Sequence, residues 1–344
     1  MLTPQEITLL QEELKTAQNP LFIHDDDADG LASFLLLYRI HKEGRGFIHK
    51  TAPRLDARMV RKVLEINPDK IFILDVPIVE QEFIDGVNRP LFWIDHHQPL
   101  ERKNIHYFNP RIKDPLAYIP TTRMAYQISA NPNDLWIAAI GCLADWHLPD
   151  FIEQAKEQYP HLLTKTTDLT TIVYQEPIGK MVKMFFFLLK GPTSEVHKSV
   201  KILTRIESPD EILKQETPPG KFLYRRFEQI NQKYEILLKE AKKQIHRGKI
   251  VLFYYTDQQW SFTSNLANEL ATLHPTKVII IARSKSGEMK CSLRAQFPIL
   301  KSLEKALVGI QGTGGGHDNA CGTVIKQEDW EQFLENFKRE LDHA

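Results

Sequence analysis

Four segments of this 344-residue chain place carboxylate or imidazole donors directly after apolar runs. The first is His24-Asp25-Asp26-Asp27-Ala28-Asp29-Gly30, which follows Leu21-Phe22-Ile23 and packs four carboxylates into five residues. Like charges this close raise one another's pKa and oppose ionisation, and a bound cation is the usual compensation. Hard divalent ions take oxygen ligands, and Mn2+ also accepts imidazole. A calcium loop does not fit, because the downstream Glu and its spacing are missing. The ordinary alternative is a solvated acidic loop in which Asp29 caps a helix beginning at Gly30. The second segment is Phe72-Ile73-Leu74-Asp75. The third is Trp93-Ile94-Asp95-His96-His97, where an acid can orient a neighbouring imidazole. The fourth, Ile140-Gly141-Cys142-Leu143-Ala144-Asp145-Trp146, ends an apolar helix on an acid. Singly, Asp75 reads as a cap or turn residue and Asp145 as a polar helix end. Chance would have to act independently at every segment, so their conjunction favours a metal site.

Donors this far apart in sequence need a scaffold that brings strand ends to one edge. Strand candidates at Leu21–His24, Phe47–Lys50, Ile71–Leu74 and Leu91–Ile94 are spaced by helical patterns over Gly30–His41 and Asp56–Ile66. This alternation predicts an α/β fold with a mostly parallel sheet flanked by helices. Ligands bind at the carboxyl ends of strands in such sheets. Thr121–Tyr159 reads as helical, with Pro120 and the two threonines as its start. An apolar helix follows at Val182–Leu189, then a helix start at Ser208-Pro209-Asp210-Glu211. Pro218-Pro219-Gly220 punctuates the chain before a long charged helix over Lys221–Arg247. A smaller α/β domain is expected beyond it. Its strands are Ile250–Tyr255, Lys277–Ala282, Met289–Leu293 and Gly322–Ile325. Its helices are Ser264–Leu273, Ile299–Val308 and a last one from Glu328. The expected domains are a catalytic one over 1–150, a helical extension and linker over 151–248, and a C-terminal one over 249–344.

The bulk numbers narrow the class. An apolar fraction of 42% and a charged fraction of 26% suit a packed globular protein rather than a disordered one. Lys and Arg (44) balance Asp and Glu (44), so no overall basic charge advertises a nucleic-acid binder. Three scattered cysteines, Cys142, Cys291 and Cys321, give no disulfide pattern and suggest a reducing cytoplasm. The longest apolar run is far short of the ~20 residues that cross a bilayer. The N-terminus reads as a charged helix, without a secretory signal.

The segments Asp25-x-Asp27-Ala28-Asp29-Gly30, Asp75, Asp95-His96-His97 and Asp145 resemble, in order, the four motifs of the DHH phosphoesterase superfamily. The first most resembles RecJ-type exonucleases and their archaeal relatives. The resemblance covers the N-terminal domain and the last ~100 residues. It implies Asp25, Asp27 and Asp29 as metal ligands, with Asp25 where some members carry His. Asp75 would bridge two ions, and His96 and Asp145 would complete the set. His97 would face the scissile phosphate, and Asp95 would support the histidines. His24 and Asp26 are adjacent extras, although a one-residue shift would promote His24. The implied cofactor is Mn2+, two ions per site, with Mg2+ as a substitute. Such a pair lies roughly 3.5–4 Å apart and makes hydroxide available near neutral pH.

The glycine cluster Gly312-Thr313-Gly314-Gly315-Gly316-His317 is the other signal. Backbone without Cβ atoms lets N–H groups approach an anion. A flexible linker is the plain alternative, and the Lys-Ser/Thr ending of a nucleotide-triphosphate loop is absent. Gly314, Gly315, Gly316 and His317 resemble the substrate-binding loop of the DHH-associated C-terminal domain. Arg294 resembles that domain's strand arginine, suited to a phosphate. Ser264-Asn265 reads as a further contact or a simple cap. Between Lys180 and Ile250 there are 16 Lys and Arg against 8 Asp and Glu, which would guide a nucleic acid or merely solvate a helix face. Phe222, Tyr224 and Tyr234 would stack bases or pack a core.

The first functional expectation is therefore a Mn2+-dependent exonuclease acting on single-stranded DNA or RNA. A nanoRNase or cyclic-dinucleotide phosphodiesterase keeps the chemistry but takes short oligonucleotides. A replication scaffold with the same fold is the third, disfavoured because every implied ligand position holds a competent residue. Partners would be single-stranded nucleic acid or short oligonucleotides and, for enzyme and scaffold alike, replication or repair proteins; no membrane is expected.

Overall fold

The computed structural model describes residues 1–50, 54–256 and 260–342. The chain divides into two compact units, Met1–Phe227 and Glu228–Ala344.

The first unit opens with α1 (Pro4–Thr16), β1 (Leu21–Asp25), α2 (Ala28–His41) and β2 (Arg45–His49). The short strand β3 (Arg54–Leu55), α3 (Val60–Ile66), β4 (Ile71–Leu74), the short β5 (Ile78–Val79), α4 (Gln81–Val87), β6 (Leu91–Ile94) and β7 (His106–Phe108) follow. Five strands form one parallel sheet in the order β2-β1-β4-β6-β7. β4 and β6 are buried along their whole length, as the runs IFIL and LFWI require when helices cover both faces. On one face Phe22, Phe72 and Phe92 stack across neighbouring strands at 5.4 and 5.1 Å, with Phe34 of α2 edge-on to Phe22 at 5.7 Å. On the other, Leu21, Ile23, Ile71, Ile73, Leu91 and Trp93 pack with Val63, Phe83 and Val87 of α3 and α4. The register pairs His24 with Leu74 and Leu74 with Ile94. Asp25, Asp75 and Asp95 therefore leave the sheet at the same edge.

Helix α2 starts earlier than its sequence suggests. Asp27, not Asp29, is the cap: its backbone is extended and its carboxylate accepts the Gly30 N–H at 2.9 Å. Asp29 lies in the first turn, so its carboxylate is released for other partners. Gly30 sits against β1, where a Cβ would come 2.9 Å from the Asp25 nitrogen. The expected helical stretch 121–159 is broken into α5 (Thr121–Ser129), α6 (Leu135–Ala144) and α7 (Ile152–Gln158). Ala130 turns left-handed at φ 46°, and Asn131-Pro132 prevents continuation. Then come α8 (Leu169–Gln175), α9 (Pro177–Leu188), α10 (Thr193–Leu203), α11 (Pro209–Leu213) and α12 (Pro218–Lys242). Ser208 and Glu211 form the capping box that the sequence shows. The Pro218-Pro219-Gly220 triplet is not a break before α12 but its first turn, where proline needs no donor.

The second unit holds β8 (Ile250–Thr256), α13 (Thr263–Leu273), β9 (Val278–Lys285), β10 (Glu288–Arg294), α14 (Leu300–Ala306), β11 (Gly312–His317), β12 (Ala320–Lys326) and α15 (Trp330–Asp342). Its sheet order is β11-β12-β10-β9-β8, with only β8 and β9 parallel. The glycine segment is thus an edge strand rather than a loop. Its backbone pairs with β12 from Gly312–Ile325 to His317–Ala320, and without side chains it can lie flat there. Tyr234 is buried on Glu269, so it packs a core and stacks no base. Cys142, Cys291 and Cys321 are free and buried.

Gly141 marks where α6, α5 and α2 meet. A Cβ there would meet Thr122 Oγ1 and lie 2.6 Å from the Ala32 methyl. Gly141→Ala is predicted to cost about 1–3 kcal/mol by overpacking, offset by up to about 1 kcal/mol of helix propensity. A lowered thermal midpoint is expected; an unchanged or raised one would show that the seam yields.

Candidate metal centre

The sheet edge gathers acids that water would normally keep apart. Asp29 and Asp75 are 1% exposed and Asp95 is fully buried. Asp75 follows β4 with φ at 62°, a left-handed geometry that Asp tolerates better than most residues. Asp145 ends α6, and His96 and His97 follow β6.

Two groups of possible ligand atoms emerge. Asp75, His96 and His97 form one, and Asp29, His96 and Asp145 the other, with the atoms of each group within 4.8 Å of one another. His96 is common to both. Its Nε2 lies 3.3 Å from Asp75 Oδ1 and its Nδ1 lies 3.7 Å from Asp145 Oδ2. His97 Nδ1 is held by Asp95 Oδ1 at 2.7 Å, and its backbone N–H donates to Asp95 Oδ2 at 3.1 Å. Asn109 braces this pair, donating to the His97 carbonyl at 2.9 Å and to Asp95 at 3.4 Å.

Asp25 and Asp27 stand outside both groups, but their charges reach them. Burial, then the charge of Asp27, pushes Asp25 up to about 8 and Asp29 up to about 7. Burial, then Asp29 and Asp27, raises Asp75 and Asp145 well above the usual carboxylate range. Asp26 is turned aside by Lys50, whose Nζ lies 3.3 Å away. His24 is buried, stacks on Phe34 at 5.1 Å and binds the Asp25 carbonyl through Nδ1 at 2.8 Å. It joins neither group.

Four residues of the site escaped the sequence. Asp29 accepts the backbone N–H groups of Thr121 and Thr122 at 2.9 and 2.7 Å, so the start of α5 grips it. Thr121 Oγ1 donates to Asp75 at 3.1 Å. Tyr118 donates to the Asp145 carboxylate at 2.9 Å. With Asn109, these residues carry only the marks of a helix start or a polar loop, and their partners are distant in the chain.

In the second unit, Arg294 is tied to α13 and to its own sheet. Its Nε donates to Asn268 at 2.6 Å, and Nη1 to the Leu293 and Cys321 carbonyls at 2.9 Å each. Ser264 Oγ lies 3.1 Å from Ser292 Oγ. A Cβ on Gly315 would meet nothing within 4 Å, whereas one on Gly316 would strike the Ala320 carbonyl. His317 is exposed.

The donor set fits a hard divalent cation: buried carboxylates with raised pKa, completed by imidazole. A carboxylate whose folded pKa is raised stabilises the fold only while protonated, so metal-free protein loses stability as pH rises. His97, raised to about 9 by Asp95 against the opposing effect of burial, acts in the same sense. His24, lowered to about 4 by burial, is already neutral near pH 7. The melting temperature of chelator-treated protein is predicted to fall as pH rises from about 4, where the unfolded carboxylates ionise, to about 9, and added Mn2+ to raise it most at the upper end. A flat profile without metal would contradict the crowding.

No curated protein sequence matches the chain. Among solved structures, RecJ in complex with Mn2+ from Thermus thermophilus is similar at TM-score 0.73 and 16% identity, covering 100% of this chain and 56% of that one. This chain thus spans little more than half of that protein. Exonuclease RecJ bound to manganese gives TM-score 0.62 and 16% identity over 96% of this chain and 92% of that one. A pGpG-specific phosphodiesterase from a Vibrio species gives 0.50 and 16% over 95% and 100%. At these identities the likeness is one of fold. Residues 21–144 match the model of the DHH family N-terminal domain, and residues 248–343 match that of the DHHA1 domain. With both matches in this order, the chain carries a DHH-family N-terminal domain followed by a DHHA1 domain.

Proposed function

We propose that the chain is a divalent-metal-dependent phosphodiesterase that hydrolyses single-stranded DNA or RNA to mononucleotides, with Mn2+ as its ion. The observation that carries this reading is the pair of donor groups sharing His96 at the carboxyl edge of a parallel sheet. Asp25, Asp27, Asp29, Asp75, His96 and Asp145 would hold the metal, with Asp75 central. Bound divalent ions supply Lewis acidity and an acidified water for attack on phosphorus.

The protein's own groups do the rest. Thr121 and the N–H groups at the start of α5 fix Asp75 and Asp29 before any ligand arrives. Asp95 holds His97 through Nδ1 and favours its cationic form, so the opposite nitrogen presents a donor to a phosphate oxygen. The domain bounds expected above assign 1–150 to this chemistry. They leave 249–344, with Arg294, Gly314–Gly316 and His317, to substrate binding. A second reading keeps the chemistry and shortens the substrate to di- and oligonucleotides. It is supported by the likeness of fold to the pGpG-specific phosphodiesterase, at TM-score 0.50.

End-labelled DNA and RNA of several lengths, incubated with purified protein and Mn2+, test both readings. Mononucleotide release from long strands supports the first, and turnover of short ones alone supports the second. No metal-stimulated hydrolysis of any would sink both. Asp75→Asn is predicted to abolish turnover with unchanged circular dichroism, and Thr121→Val to lower metal affinity or activity by roughly 10–100-fold. His317→Ala should raise KM more than it alters metal dependence; unchanged kinetics would remove His317 from substrate binding.

A further inference from the structure

Ile112, Leu116 and Tyr118 fall within one seven-residue stretch and are 55%, 91% and 51% exposed. Large apolar side chains this open are scattered thinly elsewhere among the described residues. The stretch is not loose backbone. Leu116 N–H binds Asp114 Oδ1 at 3.0 Å, Ala117 N–H binds the Asp114 carbonyl at 2.9 Å, and Arg111 Nε binds the Pro115 carbonyl at 3.1 Å. Its last apolar member reaches the metal centre. Tyr118 donates to the carbonyl and carboxylate of Asp145 at 2.7 and 2.9 Å, and its ring stands edge-on to His96 at 5.7 Å. One end of Tyr118 is therefore pinned to the cluster while half of its surface stays in water.

We propose that Tyr118 and Leu116 form a stacking platform for the nucleobase of the nucleotide whose phosphate is hydrolysed. The proposal rests on the phosphodiesterase reading and adds a recognition element to it. A phosphoester seated at the cluster brings its sugar and base within reach of the residues beside Asp145 and His96. A base has an apolar π-face whatever its identity, so an aromatic ring and an aliphatic side chain suit it without reading sequence. Three side chains are too few for a stable protein–protein interface, which buries about 800 Å² per partner. An aromatic ring and an aliphatic side chain read no base edges, so the platform should tolerate all four bases.

The test uses single strands with either an intact or an abasic terminal nucleotide, at each end in turn, with Mn2+. Wild-type protein should prefer the intact end by roughly five- to hundredfold in kcat/KM. Leu116→Ser and Tyr118→Ala should shrink that preference, while Tyr118→Phe, which keeps the ring and loses only the bond to Asp145, should retain it. A merely structural role for the loop would slow both substrates alike and leave their ratio untouched. Equal use of both ends by wild type, or a ratio unmoved by Leu116→Ser, overturns the platform. So does a shift from dimer to monomer in Leu116→Ser with the ratio intact, which would assign the patch to a second copy of this chain. If no phosphodiester is hydrolysed, the activity reading fails by itself. The platform is then judged by whether the intact strand binds more tightly than the abasic one.

Discussion

Buried carboxylates crowded at one sheet edge govern this molecule. An acid without water must be protonated, hydrogen-bonded or matched by positive charge, and the fold supplies only part of that compensation. Asp29 takes two N–H groups from α5, Asp95 takes the His97 ring, and Asp26 takes Lys50. Asp75 receives one hydroxyl, from Thr121, and His96 beside it. What the fold leaves uncompensated is met by protonation, and a divalent cation would take the place of those protons.

The sheet makes such crowding possible because it is parallel. Strands β1, β4 and β6 all end on the same side, and apolar packing on both faces holds the ends in register. Helix α2 and the start of α5 close over that edge from above, and their approach depends on Gly141 in α6, where no side chain intervenes. The hydrophobic layers thus set the positions of the charged groups, and the hydrogen bonds set their orientations.

Much of this was legible in the residues themselves. Runs such as IFIL and LFWI announce buried parallel strands, and donors that follow them must share an edge. The cap was misplaced by two positions, because Asp27 and Asp29 are equally good capping chemistry and only the chain's exit from β1 selects between them. Thr121, Thr122, Tyr118 and Asn109 were invisible for a different reason. Their significance lies in contacts with partners up to 93 residues away, and common polar residues carry no local mark of that. The glycine segment was recognised as unusual, but its composition suggests freedom, whereas pairing with β12 makes it a strand. Tyr234 takes the core-packing alternative of its two sequence readings, buried against Glu269.

Strand β11 leaves the C-terminal sheet with an edge of nearly bare peptide. Natural edges are commonly blunted by lysine, proline or a bulge, and Gly314-Gly315-Gly316 offers none of these. Its outward amides and carbonyls stand open to any extended polymer, whether a sugar–phosphate chain or the strand of another polypeptide. Selectivity between those two must then come from the neighbouring side chains, and the same nakedness that admits a ligand closely makes concentrated protein prone to strand-to-strand self-association.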